Sequence, residues 1–248
     1  YVLKAIDFMF PSVKITAEDV ESSWAGLRPL IYEEGKDPSE ISRKDEIFVS
    51  NSGLISIAGG KLTGYRKMAE SVVDLVAKQL KKEQNIFYSS SMTKELSLSG
   101  GDVGGSDGFK QYVKSKVEEV KALGLSEKEA KELVERYGSN INNVLSYYVN
   151  GKEEAESLDP VVYAMLQYAI EQELVYKPVD FFIRRTGAIF FNITWVHQHK
   201  NQVIDYMAKV LEWTNQQKAQ YTEELEQLLY EAKIPVDENE KSNYIGAV

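Results

Sequence analysis

Residues 56–70 read Ser-Ile-Ala-Gly-Gly-Lys-Leu-Thr-Gly-Tyr-Arg-Lys-Met-Ala-Glu. That order spells a strand end, a turn at Gly59 and Gly60, and the opening turns of an amphipathic helix. A helix start leaves backbone N–H groups without intrahelical partners, and the peptide dipoles place partial positive charge there. Lys61, at the mouth of the turn, adds a full charge of the same sign. The chemistry this predicts is attraction of an anion or an electron-rich oxygen, a phosphate being the plainest case. An ordinary Gly-rich strand–helix connection produces the same pattern, so the motif by itself leaves both readings open.

Two arginines extend the case. Arg28 lies within Trp-Ala-Gly-Leu-Arg-Pro-Leu at 24–30, an otherwise apolar extended stretch in which a guanidinium must find an anion or a dense set of acceptors. Arg43 follows fifteen positions later, past an acidic loop. Converging with Lys61, the two would form a phosphate clamp of forked, charge-assisted hydrogen bonds. The competing reading pairs each arginine with a loop carboxylate such as Glu33, Glu34 or Glu46. Elsewhere the chemistry reads as structural. Asp180 and Arg184 have the spacing of a helical ion pair. His197 and His199 are the two histidines, and at i, i+2 they cannot face one another on a helix, so no metal site is expected. Trp195, Trp213 and the tyrosines of the second half read as core or interface residues. The Glu-rich runs at 118–135 and 223–231 read as solvated helix faces.

The elements that must position these groups follow from local signals. Residues 2–10 look like a helix stopped by Pro11, and Thr16 with Asp19 forms a capping-box pattern. Residues 20–31 favour an extended segment, and 33–43 a loop. Glu46 to Ser50 and Leu54 to Ala58 flank Asn51-Ser52-Gly53, a hairpin signal. Leu62, Tyr65, Ala69, Val72, Val73, Val76 and Leu80 mark one face of the helix that follows. Residues 83–108 are linker-like, with a domain boundary near 95. Beyond it the pattern is almost wholly helical: Ser126 to Glu129 is a capping box and Gly138 a helix stop. Asp159-Pro160 and Lys177-Pro178 start two more helices. Residues 201–231 hold two amphipathic segments divided near Asn215, and the tail after Pro235 is polar and loose.

Composition bounds the function. The chain has 248 residues, 43% hydrophobic and 27% charged, with a net charge of −9. With a pI near 5.0 it is a poor general partner for nucleic acid or anionic membrane. With no cysteine, disulfides, thiolate catalysis and thiolate metal sites are excluded, in keeping with a reducing compartment. No apolar run approaches the roughly 18 residues of a transmembrane span, and no signal peptide is seen.

Taken together, the quoted segments resemble the C-terminal part of the FAD-dependent glycerol-3-phosphate dehydrogenases, the aerobic respiratory enzymes of the Firmicute type. The resemblance runs through Glu-Ser-Ser-Trp-Ala-Gly-Leu-Arg-Pro-Leu at 21–30, Ile-Ser-Arg-Lys-Asp-Glu at 41–46 and Ile-Ala-Gly-Gly-Lys-Leu-Thr-Gly-Tyr-Arg-Lys-Met-Ala-Glu at 57–70. It continues through Ser-Gly-Gly at 99–101, Arg-Tyr-Gly-Ser-Asn at 136–140, Asp-Phe-Phe-Ile-Arg-Arg-Thr-Gly at 180–187 and Ile-Asp-Tyr-Met at 204–207. It implies an α+β fragment, mostly α: the end of a flavin- and substrate-binding domain over 1–94, with strands and one long helix, then an all-helical C-terminal domain over 95–236 and a loose tail over 237–248. It further implies oxidation of sn-glycerol 3-phosphate to dihydroxyacetone phosphate with hydride to FAD. Electrons would pass to membrane quinone, in an enzyme peripheral on the cytoplasmic face of the cell membrane. By the resemblance, Arg28 is catalytic, Arg43 and Lys61 hold the substrate phosphate, and Gly59, Gly60, Lys61, Leu62 and Thr63 touch the cofactor. The family more often has threonine where this chain has Gly64, which weakens the helix start slightly.

The Gly-x-Gly-x-x-Gly dinucleotide fingerprint, which the family carries upstream, does not occur in these residues. The expectation is therefore a C-terminal fragment that binds FAD poorly and turns nothing over alone. Two other readings stay open. One is a glycerol-3-phosphate oxidase that uses oxygen; the fifteen-residue spacing from Arg28 to Arg43 speaks against it, because those oxidases carry a long insertion there. The other is a non-catalytic helical interaction module. A homodimer is compatible with either.

Overall fold

The computed structural model describes residues 2–26, 31–32, 34–35, 44–59, 61–151 and 158–234. Two compact units emerge, one made of residues 1–24 with 99–248 and the other of residues 25–98. The expected mostly helical α+β class is met: helices dominate, beside a two-stranded antiparallel sheet.

In the smaller unit, β1 (Glu46–Val49) and β2 (Ile55–Ala58) pair antiparallel, with Glu46 opposite Ala58 and Val49 opposite Ile55. The Asn51-Ser52-Gly53 signal is sound: Gly53 takes φ +84°, a left-handed value that a side chain disfavours. Beyond β2 a 3-10 turn (Leu62–Gly64) leads into α2 (Tyr65–Gln84). Arg66 on α2 pairs with Glu70 at 2.8 Å and donates to Thr93 at 3.2 Å, tying the helix to the chain that follows it. The helix expected from its apolar spacing is present, but that face is only partly covered, with Val72, Val76 and Leu80 half-buried. Leu62 is 89% exposed, Val73 61%, and α2 contains no buried residue.

The larger unit holds the core. It begins with α1 (Val2–Met9) and continues with α3 (Gly105–Lys121), α4 (Glu127–Tyr137), α5 (Ile141–Asn150) and α6 (Pro160–Glu173). It closes with α7 (Ala188–Phe191), α8 (Ile193–Val210) and α9 (Asn215–Lys233). Every buried hydrophobic side chain among the described residues lies between Val117 and Ala232. The starts of these helices rest on local chemistry. Ser126 accepts from the Glu129 amide at 3.2 Å while the Ser126 amide donates to the Glu129 carboxylate at 2.9 Å, a reciprocal cap. Those hydrogen bonds, from the Ser126 hydroxyl first and its amide second, hold the Glu129 carboxyl below its ordinary pKa. Asp159 accepts from the Val161 and Val162 amides with Pro160 at the first helical position. Thr214 and Gln217 repeat the reciprocal cap on α9. The Thr16 and Asp19 pattern starts only a 3-10 turn, Ala17–Asp19. After it, Ser23 reaches the end of α9, its amide donating to the Ala232 carbonyl at 2.7 Å, and Trp24 packs on Phe190 with ring centroids 4.8 Å apart.

The segment after Lys177-Pro178 is helical as expected but wider than an α-helix. Asp180–Arg185 is a π-helix, in which the Thr186 amide donates to the Phe181 carbonyl five residues back at 2.9 Å. The extra residue per turn allows consecutive Phe181 and Phe182 both to be buried. Asp180 works at both ends of it: its carboxylate accepts from the Tyr176 and Lys177 amides and pairs with Arg184 at 2.7 Å, so the expected ion pair is there. Arg185 pairs with Glu173 at 3.5 Å, yet burial outweighs that charge and raises the Glu173 pKa.

Gly138 ends α4 at φ +50°, and a Cβ placed there would sit 2.1 Å from the Gly100 carbonyl oxygen. Both the dihedral and the backbone-to-backbone approach demand glycine. Gly138→Ala is expected to lower unfolding free energy by at least about 2 kcal/mol, from left-handed strain plus overpacking. Urea denaturation followed by far-UV circular dichroism, with an unchanged slope and a lower midpoint, would register that loss.

Candidate functional site

The hairpin register decides what faces the glycine turn. Because Glu46 pairs with Ala58, the next pair outward sets Asp45 beside Gly59. A Cβ on Gly59 would lie 2.6 Å from Asp45 Oδ1, 3.0 Å from the Met68 terminal methyl and 3.2 Å from the Asp45 Cα. Gly59 is glycine for want of room. On the other side of the turn, a Cβ on Gly64 would meet Lys61 Cβ at 3.6 Å and Asp45 Oδ2 at 3.9 Å. Asp45, Gly59, Lys61 and Gly64 therefore form one small cluster at the entry to α2.

Lys61 takes an extended conformation (φ −99°, ψ 101°) and caps the 3-10 turn through its carbonyl, which accepts from the Gly64 amide at 3.0 Å. Its side chain is exposed and forms no ion pair among the described residues. The Leu62 and Thr63 amides, the first two of the turn, have no acceptor among the described residues, and both residues are exposed. The turn thus presents a lysine and two unengaged N–H groups, as its sequence implies. What the sequence missed is Asp45, a carboxylate beside the same mouth. The signal that finds it is the cross-strand register, which fixes the residue opposite the turn glycine.

Of the residues singled out from the sequence, the structure places Gly59, Lys61, Leu62 and Thr63 together on this turn. Arg28, Arg43 and Gly60 lie outside the described residues, as does Glu33. The cluster has the donors that an electron-rich ring edge requires: two free amides at the positive end of a helix, a lysine, and glycines that allow close approach. By that test the residues present fit a flavin. His197 is exposed and His199 buried, and no group of His, Cys, Asp or Glu among the described residues has the geometry to hold a metal ion.

Alanine at residue 59 must displace Asp45, whose side chain can swing away but whose Cα cannot. Gly59→Ala is expected to speed hydrogen exchange at the Gly64 and Tyr65 amides about tenfold, the factor for about 1.4 kcal/mol of overpacking. Adding Asp45→Ala is expected to recover part of the protection, as read by exchange mass spectrometry or NMR.

Over 240 residues, 96% of this chain, it is 53% identical to the aerobic glycerol-3-phosphate dehydrogenase of Bacillus subtilis (strain 168), and the match takes in 43% of that protein. The Staphylococcus aureus (strain USA300) enzyme of the same name is 52% identical over 94% of this chain and 42% of its own length. A crystal structure of the glycerol-3-phosphate dehydrogenase from Bacillus halodurans complexed with FAD superposes with a TM-score of 0.84 at 48% identity. That match covers 96% of this chain and 45% of the crystallised one. The chain thus spans less than half the length of the relatives it matches, and it corresponds to their C-terminal part. Residues 91–218, just over half of the chain, match the model of the C-terminal domain of alpha-glycerophosphate oxidase, and the chain belongs to that family.

Proposed function

We propose that this chain is the C-terminal portion of an FAD-dependent aerobic glycerol-3-phosphate dehydrogenase, which oxidises the secondary alcohol of sn-glycerol 3-phosphate to dihydroxyacetone phosphate. The observation that carries the reading is identity above half with the aerobic dehydrogenases along nearly the whole chain. The Leu62 and Thr63 amides without acceptors among the described residues, beside Lys61, support the same reading. FAD, when bound, supplies the hydride-accepting ring.

The roles of this chain's residues follow from their chemistry. Arg28 would donate to the C2 oxygen of the substrate, orienting it and favouring partial negative charge there. Arg43 grips the phosphate with two parallel N–H donors, and Lys61 adds a point charge. Together they fix the C2–H bond in one orientation, which converts binding energy into rate. The Leu62 and Thr63 amides at the helix mouth favour electron density arriving nearby, and they need no reorganisation to do so. In this reading residues 1–94 belong with the flavin and substrate site, although 1–24 group with the helical unit in the structure, and residues 95–236 are the helical domain.

Among the described residues of the smaller unit there are one hairpin, a 3-10 turn and one α-helix and none is buried, which is little apolar burial for a flavin domain standing on its own. That supports the view that more polypeptide completes the cofactor site, so the isolated chain binds FAD weakly and is inactive. Quinone as the electron acceptor, a peripheral position on the cytoplasmic membrane face and a homodimeric state belong to the same reading. No helix among the described residues is long and apolar enough to cross a membrane. The second reading, an oxidase that reduces oxygen to peroxide, draws on the name of the family matched by residues 91–218. The short spacing between Arg28 and Arg43 favours the dehydrogenase.

The test is glycerol-3-phosphate:dye oxidoreductase activity of the full-length parent. Arg28→Ala is expected to lower kcat about 100-fold or more, and Arg43→Ala to raise KM for glycerol 3-phosphate about tenfold or more. Unchanged kinetics in both would remove the clamp, and stoichiometric peroxide from the wild type in air would move the assignment to the oxidase. Gel filtration of the 248-residue chain with FAD is expected to return colourless protein.

A further inference from the structure

The helical unit contains a concavity that the reaction above does not use. It is a half-open hollow between one face of α4, the first turn of α6 and the stretch from Thr186 to His199, with a volume of about 570 Å³. Organic ligands occupy volumes of this order. Its apolar wall comes from Leu133, Met165, Phe191 and Trp195.

His199 on this wall is 8% exposed, and its ring lies 5.2 Å from that of Trp195. Its Nδ1 is enclosed and has no hydrogen-bond partner among the described residues. Its Nε2 has none either but is not enclosed, which makes it the nitrogen left to the cavity. The cost of a buried polar group without a partner, about 1–3 kcal/mol, falls on Nδ1, and a ligand in the cavity meets the ring only at Nε2.

Arg136 sits on the same rim. Its Nη1 donates to the carbonyls of Thr186 at 2.9 Å and Arg185 at 3.4 Å, which fixes the guanidinium plane, while its Nε and Nη2 donors are unengaged among the described residues. The acids of the lining are largely committed. Glu129 closes the cap of α4, Asp159 caps α6, and Glu132 faces Lys128 at 3.9 Å. What the cavity offers a ligand is an oriented guanidinium fork, an imidazole nitrogen and an apolar wall with an indole in it.

We propose that this cavity binds a small aromatic carboxylic acid, its carboxylate on Arg136 and His199 and its ring against Trp195 and Met165. The proposal is independent of the flavin chemistry. The two histidines make it directly observable, because exposed His197 serves as the internal control for His199 in two-bond 1H–15N spectra of the full chain. Titrated benzoate is the probe. Its expected effect is a saturable shift of the His199 Nε2 resonance, half complete below about 1 mM, with His197 unmoved. Arg136→Gln is expected to weaken binding about tenfold. Val161→Trp, at a half-buried lining residue, narrows the cavity while leaving Arg136 and His199 unsubstituted and is expected to weaken the binding about tenfold or more. No saturable shift up to about 10 mM, a range that covers even binding of about 3 kcal/mol, overturns the proposal. So does unchanged binding in Val161→Trp. An equal shift with benzyl alcohol or with inorganic phosphate overturns the ligand class.

Discussion

The architecture of the helical unit turns on a place where two backbones touch. Gly100 and Gly138 bring their chains so close that neither tolerates a side chain: a Cβ on Gly100 would lie 2.8 Å from the Tyr137 carbonyl oxygen, and one on Gly138 closer still to that of Gly100. The contact is pinned by three hydrogen bonds around it. The Ser139 backbone amide donates to the Gly100 carbonyl at 3.0 Å, the Tyr112 hydroxyl to the Gly138 carbonyl at 3.0 Å, and the Asn140 side-chain Nδ2 to Ser99 Oγ at 2.7 Å. Through them the approach to α3 is fixed against the junction of α4 and α5. Tyr137, at that junction, packs edge-on to Tyr168 of α6, and burial pushes its phenol well above the usual range, so it stays neutral. One residue earlier, Arg136 reaches out to the carbonyls that end the π-helix. A single crossing therefore positions α4 between the core on one side and the cavity on the other.

Much of this was legible from the sequence wherever a side chain and its own neighbouring backbone settle the matter. The turn at Asn51-Ser52-Gly53, the reciprocal cap at Ser126 and Glu129, and the Asp159-Pro160 start are all decided within a few residues. The start of α8 was not, since Asn192 caps it by accepting from the Trp195 amide where no helix start was read. The π-helix was not legible either. Its extra residue per turn answers to the burial of Phe181 and Phe182 among distant helices, which no local pattern reports. The same limit applies to α2, whose periodicity gives the helix but cannot say what lies over its apolar face. At the site, the Lys61 turn was visible because glycines and a lysine mark it, whereas Asp45 reaches it from another strand and belongs to the register.

The acidity of the chain as a whole bears little on that turn. At physiological ionic strength charges farther apart than about 8 Å are largely screened, so the net charge of −9 matters less at Lys61 than the groups within a few ångströms. Those groups are of mixed sign: two free amides and an ammonium on one hand, the Asp45 carboxylate on the other. A purely anionic ligand would be drawn by the first and repelled by the second. An edge that offers acceptors and an N–H donor side by side satisfies both, and the pyrimidine edge of a flavin alternates carbonyl and N–H in that way. A compact phosphate does not, and at this turn it would need positive charge from elsewhere to offset Asp45. The mixed polarity of the mouth thus suits a heterocyclic edge at the helix end better than a bare anion.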